Sequence, residues 1–301
     1  MTIALGSDPS SSILIHYLNT YVMVSPAIAR RKIKKANTSS LLDADDELAI
    51  EEPLEISLVC EDAGGKIHKT ISVTMRTPGN DNELALGFLF TEGIIRQASQ
   101  VEGTFISPSE NQVQVMLNGG ELPSLHKIDR NFYTTSSCGV CGKTSIDAIR
   151  TISHFSNTAD DILLDSCLLY GLESQLKKQQ TIFKSTGGLH ASALFDLGGN
   201  FLMLREDVGR HNALDKLIGA AFLDNRLPLN KTILLLSGRA SFELVQKAAM
   251  AGIKIIAAVG APSSLAVQLS EDRNMTLIGF LRNKGFNIYS GEHRIAMSPQ
   301  N

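Results

Sequence analysis

Cysteine is scarce in this chain, at 4 of 301 residues. So few thiols cannot staple a fold of this length, and two of them placed close together by chance would be unusual. An excess of either charge is also missing. Lys and Arg number 28 against 31 Asp and Glu, a formal net charge of -3. That balance leaves no overall electrostatic footprint for nucleic acid, so a small molecule or a protein is the expected partner. Long apolar runs are lacking too. The best, from Ile253 to Pro262, is broken by Lys254 and Gly260, well short of the roughly 18 residues that a membrane-spanning helix needs. A mildly apolar stretch from Ile13 to Met23 precedes the basic cluster at 30–35, the reverse order to a secretory signal. The expected setting is therefore reducing and cytoplasmic, with no membrane partner.

What is present is an ordinary globular composition, 43% hydrophobic and 20% charged. The length suggests about two domains. Residues 1–50 read as an extension, in which the basic cluster at 30–35 is followed by the acidic run Asp43-Ala44-Asp45-Asp46-Glu47. The basic cluster is either a solvated face or a surface for an acidic partner or lipid headgroups. From Pro53, Leu54 to Val59 and Ile67 to Met75 alternate as the strands of a hairpin around Asp62-Ala63-Gly64-Gly65. A helix follows Pro78-Gly79-Asn80-Asp81, then short strands near Thr104 to Ile106 and Gln112 to Leu117. This gives a smaller α+β domain over 51–135 and a larger α/β domain over 136–301.

In the larger domain a helix is expected over Thr144 to Ser156 and another over Gly171 to Gln179. Strands over Leu189 to Asp196 and Phe201 to Glu206 then lead into a helix from Asn212. Beyond it, Thr232 to Leu236, Lys254 to Val259 and Thr276 to Phe280 alternate with helices over Phe242 to Ala251 and Ser264 to Glu271. That order reads as βαβαβ with a parallel component.

The densest chemistry is Thr134-Thr135-Ser136-Ser137-Cys138-Gly139-Val140-Cys141-Gly142-Lys143. A C-x-x-C pair permits half of a metal site, a dithiol couple or a nucleophilic thiolate with an assisting neighbour. Structural zinc needs a second ligand pair, and Cys60, Cys167, His190 and His211 are not spaced as one. A zinc deaminase would need H-x-E ahead of P-C-x-x-C, which this order does not supply. No metal is expected. A helix starting after the pair would favour thiolate at Cys138 and Cys141.

Two βα turns, Ser237-Gly238-Arg239-Ala240-Ser241 and Gly260-Ala261-Pro262-Ser263-Ser264, offer backbone N–H groups and hydroxyls to an anion such as phosphate. They are equally readable as ordinary capped turns. Phe280-Leu281-Arg282-Asn283-Lys284-Gly285 ends the next strand, so Arg282 and Lys284 converge on the same edge. A polar run holds Glu206, Asp207, Arg210 and His211. His211 and Asp215 share a helix face, where the carboxylate could orient the imidazole or merely form a solvated pair.

Together these residues resemble the FdhD family of formate dehydrogenase accessory sulfurtransferases. The resemblance covers roughly residues 50–295 and rests on Ser137 to Gly142, Thr186-Gly187-Gly188-Leu189-His190, Glu206 to Lys216, Ser237-Gly238-Arg239 and Phe280 to Tyr289. It implies a larger three-layer domain similar to the cytidine-deaminase fold, and a homodimer. It also implies a carrier that accepts persulfide sulfur from an IscS-type cysteine desulfurase on Cys138, assisted by Cys141. The sulfur would go to the bis-molybdopterin guanine dinucleotide molybdenum cofactor before formate dehydrogenase receives it. The cofactor would lie on Phe280 to Gly285, near Gly238, Arg239, Ser241 and Gly260. The rival functions are a dithiol oxidoreductase and a non-catalytic chaperone of the cofactor.

Overall fold

A computed structural model describes residues 27–62, 65–118, 155, 161–283 and 285–297. Cys138 and Cys141, the helix expected over Thr144 to Ser156, Lys284 and the boundary at 135/136 lie outside the described residues.

β1 (Ile28–Ala36) and β2 (Leu41–Ala49) form an antiparallel pair within the stretch read from the sequence as an extension. Its apolar alternation is slight. Instead, Arg30, Arg31, Lys32 and Lys34 stand opposite Glu47, Asp46, Asp45 and Asp43. Arg30 Nε meets Glu47 Oε1 at 3.2 Å and Lys34 Nζ meets Asp43 Oδ1 at 2.6 Å. Opposite charges directly across a strand pair stabilise it. The basic cluster thus faces carboxylates of its own chain.

β3 (Glu52–Asp62) and β4 (Gly65–Arg76) form the expected hairpin. With β5 (Val101–Ser107) and β6 (Gln112–Leu117) they make a four-stranded sheet in the order β4-β3-β6-β5. Leu54, Ile56, Leu58, Val113 and Val115 point to one buried side. Between β4 and β5 runs α1 (Asp81–Thr91). Its start is locked by Arg76, 2% exposed, which donates through Nε and Nη2 to the two oxygens of Asp81 at 3.0 Å each.

The second, six-stranded sheet follows β7 (Leu164–Asp165), α2 (Ser166–Gln179) and the short α3 (Thr181–Thr186). Its strands are β8 (His190–Asp196), β9 (Phe201–Asp207), β10 (Thr232–Leu236), β11 (Ile255–Ala258), β12 (Thr276–Arg282) and β13 (Gly285–Ser290). Between them lie α4 (Arg210–Leu223), α5 (Phe242–Met250) and α6 (Ser264–Asp272). The order across the sheet is β13-β12-β11-β10-β8-β9. β10, β11 and β12 are parallel, as the alternation predicted, whereas β8, β9 and β13 run antiparallel to their neighbours. A last short strand, β14 (Ile295–Ala296), pairs with β7.

Helices cover both faces of this sheet. Leu169, Leu172 and Leu176 of α2 pack on Ala193, Phe195, Ile233 and Ile255. On the other face Leu194, Leu234 and Ile256 meet Leu214, Leu217 and Leu244. Covering on both sides explains why Thr232–Leu236 reads as an uninterrupted apolar run with every residue buried. The same core continues through α1 into the four-stranded sheet. α1 and α4 cross almost backbone to backbone. A Cβ added to Gly87 would collide with the carbonyl of Asp215, and one on Gly219 with the carbonyl of Glu83.

Candidate functional site

Parallel strands deliver their carboxyl ends to one edge of a sheet, where βα turns can gather around a ligand. Here that edge collects the turns after β10, β11 and β12. β8 runs the opposite way, so its first residue, His190, arrives at this edge paired with Asp207 at the end of β9. The topology thereby joins segments separated by almost a hundred residues.

The turns are tied to one another by backbone hydrogen bonds. Gly260 N donates to Gly238 O at 2.8 Å, Ala240 N to Ala261 O at 3.2 Å, and Ser263 N to Ala240 O at 3.0 Å. This approach requires glycine at 260, where a Cβ would sit 2.8 Å from the Arg239 amide nitrogen. Phe280 N then donates to Gly260 O at 3.1 Å. Phe280 has φ 53°, a left-handed backbone for a bulky aromatic residue. Such a conformation costs of order 1–3 kcal/mol and concentrates at functional sites. It coincides with the register shift between Gly279 and Arg282 in the β12–β13 pairing, and the ring is 45% exposed.

Arg282 turns back over the edge. Its Nη1 donates to Val259 O at 2.7 Å and Leu281 O at 2.8 Å, while Arg239 and Asn283 are exposed. Leu281 departs from the expected ligand contact, because its side chain is fully buried in the core on the α2 side. Gly285 begins β13. Ser241 is the N-cap residue of α5, and its Oγ lies 3.3 Å from His211 Nε2.

The polar run divides. His211 and Arg210 remain at the edge, but Asp215 does not serve His211. It is buried and meets Lys247 Nζ at 2.9 Å and Thr91 Oγ1 at 2.8 Å. Residues 212–222 of α4 are all buried, so the face shared with His211 is filled by neighbouring helices. Glu206 points elsewhere as well. It accepts from Ile182 N at 3.1 Å and Phe183 N at 2.9 Å, closing the first turn of α3. Asp207, fully buried, pairs with Lys216 Nζ at 2.8 Å and accepts from Thr77 N at 3.1 Å and Gly209 N at 2.8 Å. Burial pushes its carboxyl above the usual range, against the pull of Lys216. Glu206 and Asp207 hold the frame and do not line the open edge.

His190 was not among the residues singled out as a site. Burial, then Arg210 and Arg239, hold its imidazole below the usual value, with Asp207 acting the other way. The signal in the sequence was its place at the head of a strand after Gly187-Gly188. Among the described residues no three His, Cys, Asp or Glu side chains gather closely enough to hold a metal ion.

A profile of the FdhD/NarQ family matches residues 49–296. The chain belongs to the FdhD/NarQ family. Among family members, "Sulfur carrier protein FdhD" of Mycolicibacterium paratuberculosis is 48% identical over 275 residues, covering 89% of this chain and 98% of its own. A protein of the same name from Sulfolobus acidocaldarius is 40% identical over 268 residues, with the same two coverages. The fold is shared with the crystal structure of a proposed formate dehydrogenase accessory protein from Desulfotalea psychrophila. That chain is covered completely, with 90% of this one, at a TM-score of 0.67 and 24% identity.

Proposed function

We propose that this FdhD/NarQ family member is a sulfur carrier serving formate dehydrogenase. It would take persulfide sulfur from an IscS-type desulfurase on Cys138 and pass it to the bis-molybdopterin guanine dinucleotide molybdenum cofactor as substrate. The observation that carries the cofactor part is Phe280, whose strained backbone presents a half-exposed ring among Arg239, Arg282 and the interlocked glycine turns. A planar guanine suits the ring, since base–aromatic stacking contributes about 1–3 kcal/mol per base. Phosphates suit the guanidinium groups. Helices on both faces of the six-stranded sheet also fit a three-layer, deaminase-type fold.

In the first step, Cys138 thiolate attacks the terminal sulfur of the donor persulfide. A Cys138 S–S bond forms, the donor S–S bond breaks, and the electron pair leaves on the donor thiolate, which takes a proton. In the second, Cys141 thiolate attacks the inner sulfur of the loaded Cys138. The Cys138–Cys141 disulfide closes and sulfide leaves, and a cellular thiol then reduces the disulfide. The polar edge would hold the acceptor cofactor during this release.

Mass spectrometry of the chain after incubation with a desulfurase and cysteine tests the carrier. One added sulfur on Cys138, absent from Cys138→Ser with guanine nucleotide affinity unchanged, is the expected result. In Cys141→Ser, where the second step cannot close the disulfide, absence of added sulfur while the parent still loses two protons would identify a dithiol oxidoreductase instead. No change in a chain that still binds the nucleotide would identify a cofactor chaperone.

A further inference from the structure

At the edge, His190 occupies a place that the sulfur-transfer scheme does not use. Its strand is fastened to the Ser237 turn, with Ala191 N donating to Ser237 Oγ at 2.8 Å and Ser237 N to Ala191 O at 3.0 Å. The imidazole lies against Gly238, where a Cβ would come within 3.2 Å of Nδ1. Two cations from different elements, Arg210 in the first turn of α4 and Arg239 in the turn after β10, lie near enough to repel a proton from it, and the buried Asp207 carboxylate at the end of β9 acts the other way. Among the described residues, Lys216 on α4 holds the Asp207 carboxylate at 2.8 Å, and His211 on α4 and Glu243 on α5 face each other, Nε2 to Oε2 at 3.9 Å.

This cluster is polar beyond its own needs. Arg210 Nε and Ser192 Oγ are buried without a hydrogen-bond partner among the described residues. Ser192 is two positions along β8 from His190, on the same face of the strand and under α4. Gly209, the N-cap residue of α4, makes no side-chain cap for its helix. Buried polar groups left unsatisfied point to a ligand or bound water. A cationic, hydrogen-donating cluster at a helix N-terminus favours an anion.

We propose that His190 determines the strength of anion binding at this edge, as the protonatable third member of a pocket formed with Arg210 and Arg239 for a diphosphate diester. The proposal rests on the dinucleotide reading above and adds a regulation to it. Burial and the two guanidinium groups disfavour a third positive charge and hold the imidazole below its usual value. An entering diphosphate offsets the two guanidinium charges, raises the affinity of His190 for a proton and is held by it in turn. Binding therefore takes up a proton, and affinity rises as pH falls.

The test uses the full chain and diguanosine diphosphate. Unlike a phosphate monoester, with a second pKa near ~6, this probe has no phosphate proton to gain in the histidine range. Calorimetry from about pH 8 down to about pH 5.5 spans the titration of a histidine. In the parent, affinity should rise about five- to tenfold over this range. His190→Gln should keep the high-pH affinity and lose the rise, while His211→Gln should keep the rise. Binding that is flat with pH in the parent, or a rise that survives in His190→Gln, overturns the role of His190 alone. No binding at either pH overturns the dinucleotide reading and this proposal with it. Should His190→Gln not fold, NMR titration of the His190 Cε1 proton in the parent decides. Its midpoint must move up when the probe is added, and an unmoved midpoint rejects the proposal.

Discussion

Phe280 combines a strained backbone with an exposed ring in one residue. A glycine at that position would relieve the left-handed backbone, whose cost for an L side chain is about 1–2 kcal/mol, while removing the exposed ring. Phe280→Gly should therefore leave the melting temperature unchanged or slightly higher. It should weaken guanine nucleotide binding about tenfold, as expected for loss of one stacking contact. Equal calorimetric affinity in variant and parent would remove the ring from the site. His211 shows the limit of local reading at this scale. Its four-residue spacing to Asp215 is real, yet the carboxylate is claimed by Lys247 and Thr91 from elsewhere in the chain. Helical periodicity says which residues share a face, but not what is packed against that face.

Among the elements, the β1–β2 hairpin holds four directly opposed charge pairs on largely exposed strands. Exposed pairs contribute little individually, about 0.2–1 kcal/mol. Lys34→Ala should thus shift the urea midpoint barely, and a large shift would show that the hairpin carries more than its own pairing. The α1–α4 crossing is the opposite case. Gly219→Ala drives a methyl group into the backbone at Glu83 and should cost about 3 kcal/mol or more by urea titration. Elements with an apolar period were legible in the sequence, including β3, β4, β8 to β12, α5 and α6. The hairpin at 28–49 was not, because its signal is a match between two charged runs and has no period within either. The six-residue α3 and the edge strand β13 were hidden for a related reason: each is too short or too polar to show a repeat.

For the molecule as a whole, two buried ion pairs bind the halves together. Lys216, from α4, meets Asp207 and the carbonyl of Thr77 at the end of β4. Lys247, from α5, meets Asp215, Thr91 and Glu92, and so ties α5 to both α4 and α1. Removing one partner of such a pair strands the other charge, at about 3–5 kcal/mol. Lys247→Met should lower stability by that order in urea unfolding, and adding Asp215→Asn should recover much of the loss. A double variant no more stable than the single one would show that the network acts mainly through Thr91 and Glu92. The βαβαβ order announced the gathering of turns at one edge, since parallel strands must all finish there. That β8 would arrive reversed, bringing His190 beside Gly238, depended on a long-range antiparallel pairing that no local pattern encodes.

The crossing of Gly87 and Gly219 bears finally on motion. Two helices meeting through their main chains have no side-chain layer to slide on, so the joint between the four-stranded and six-stranded sheets has no play. Adjustment to the proposed dinucleotide must then fall to exposed side chains such as Phe280 and Arg239, because the turns that carry them are pinned to one another. On that proposal the protein is a fixed plate, and its scaffold amides should exchange no faster when the plate is loaded.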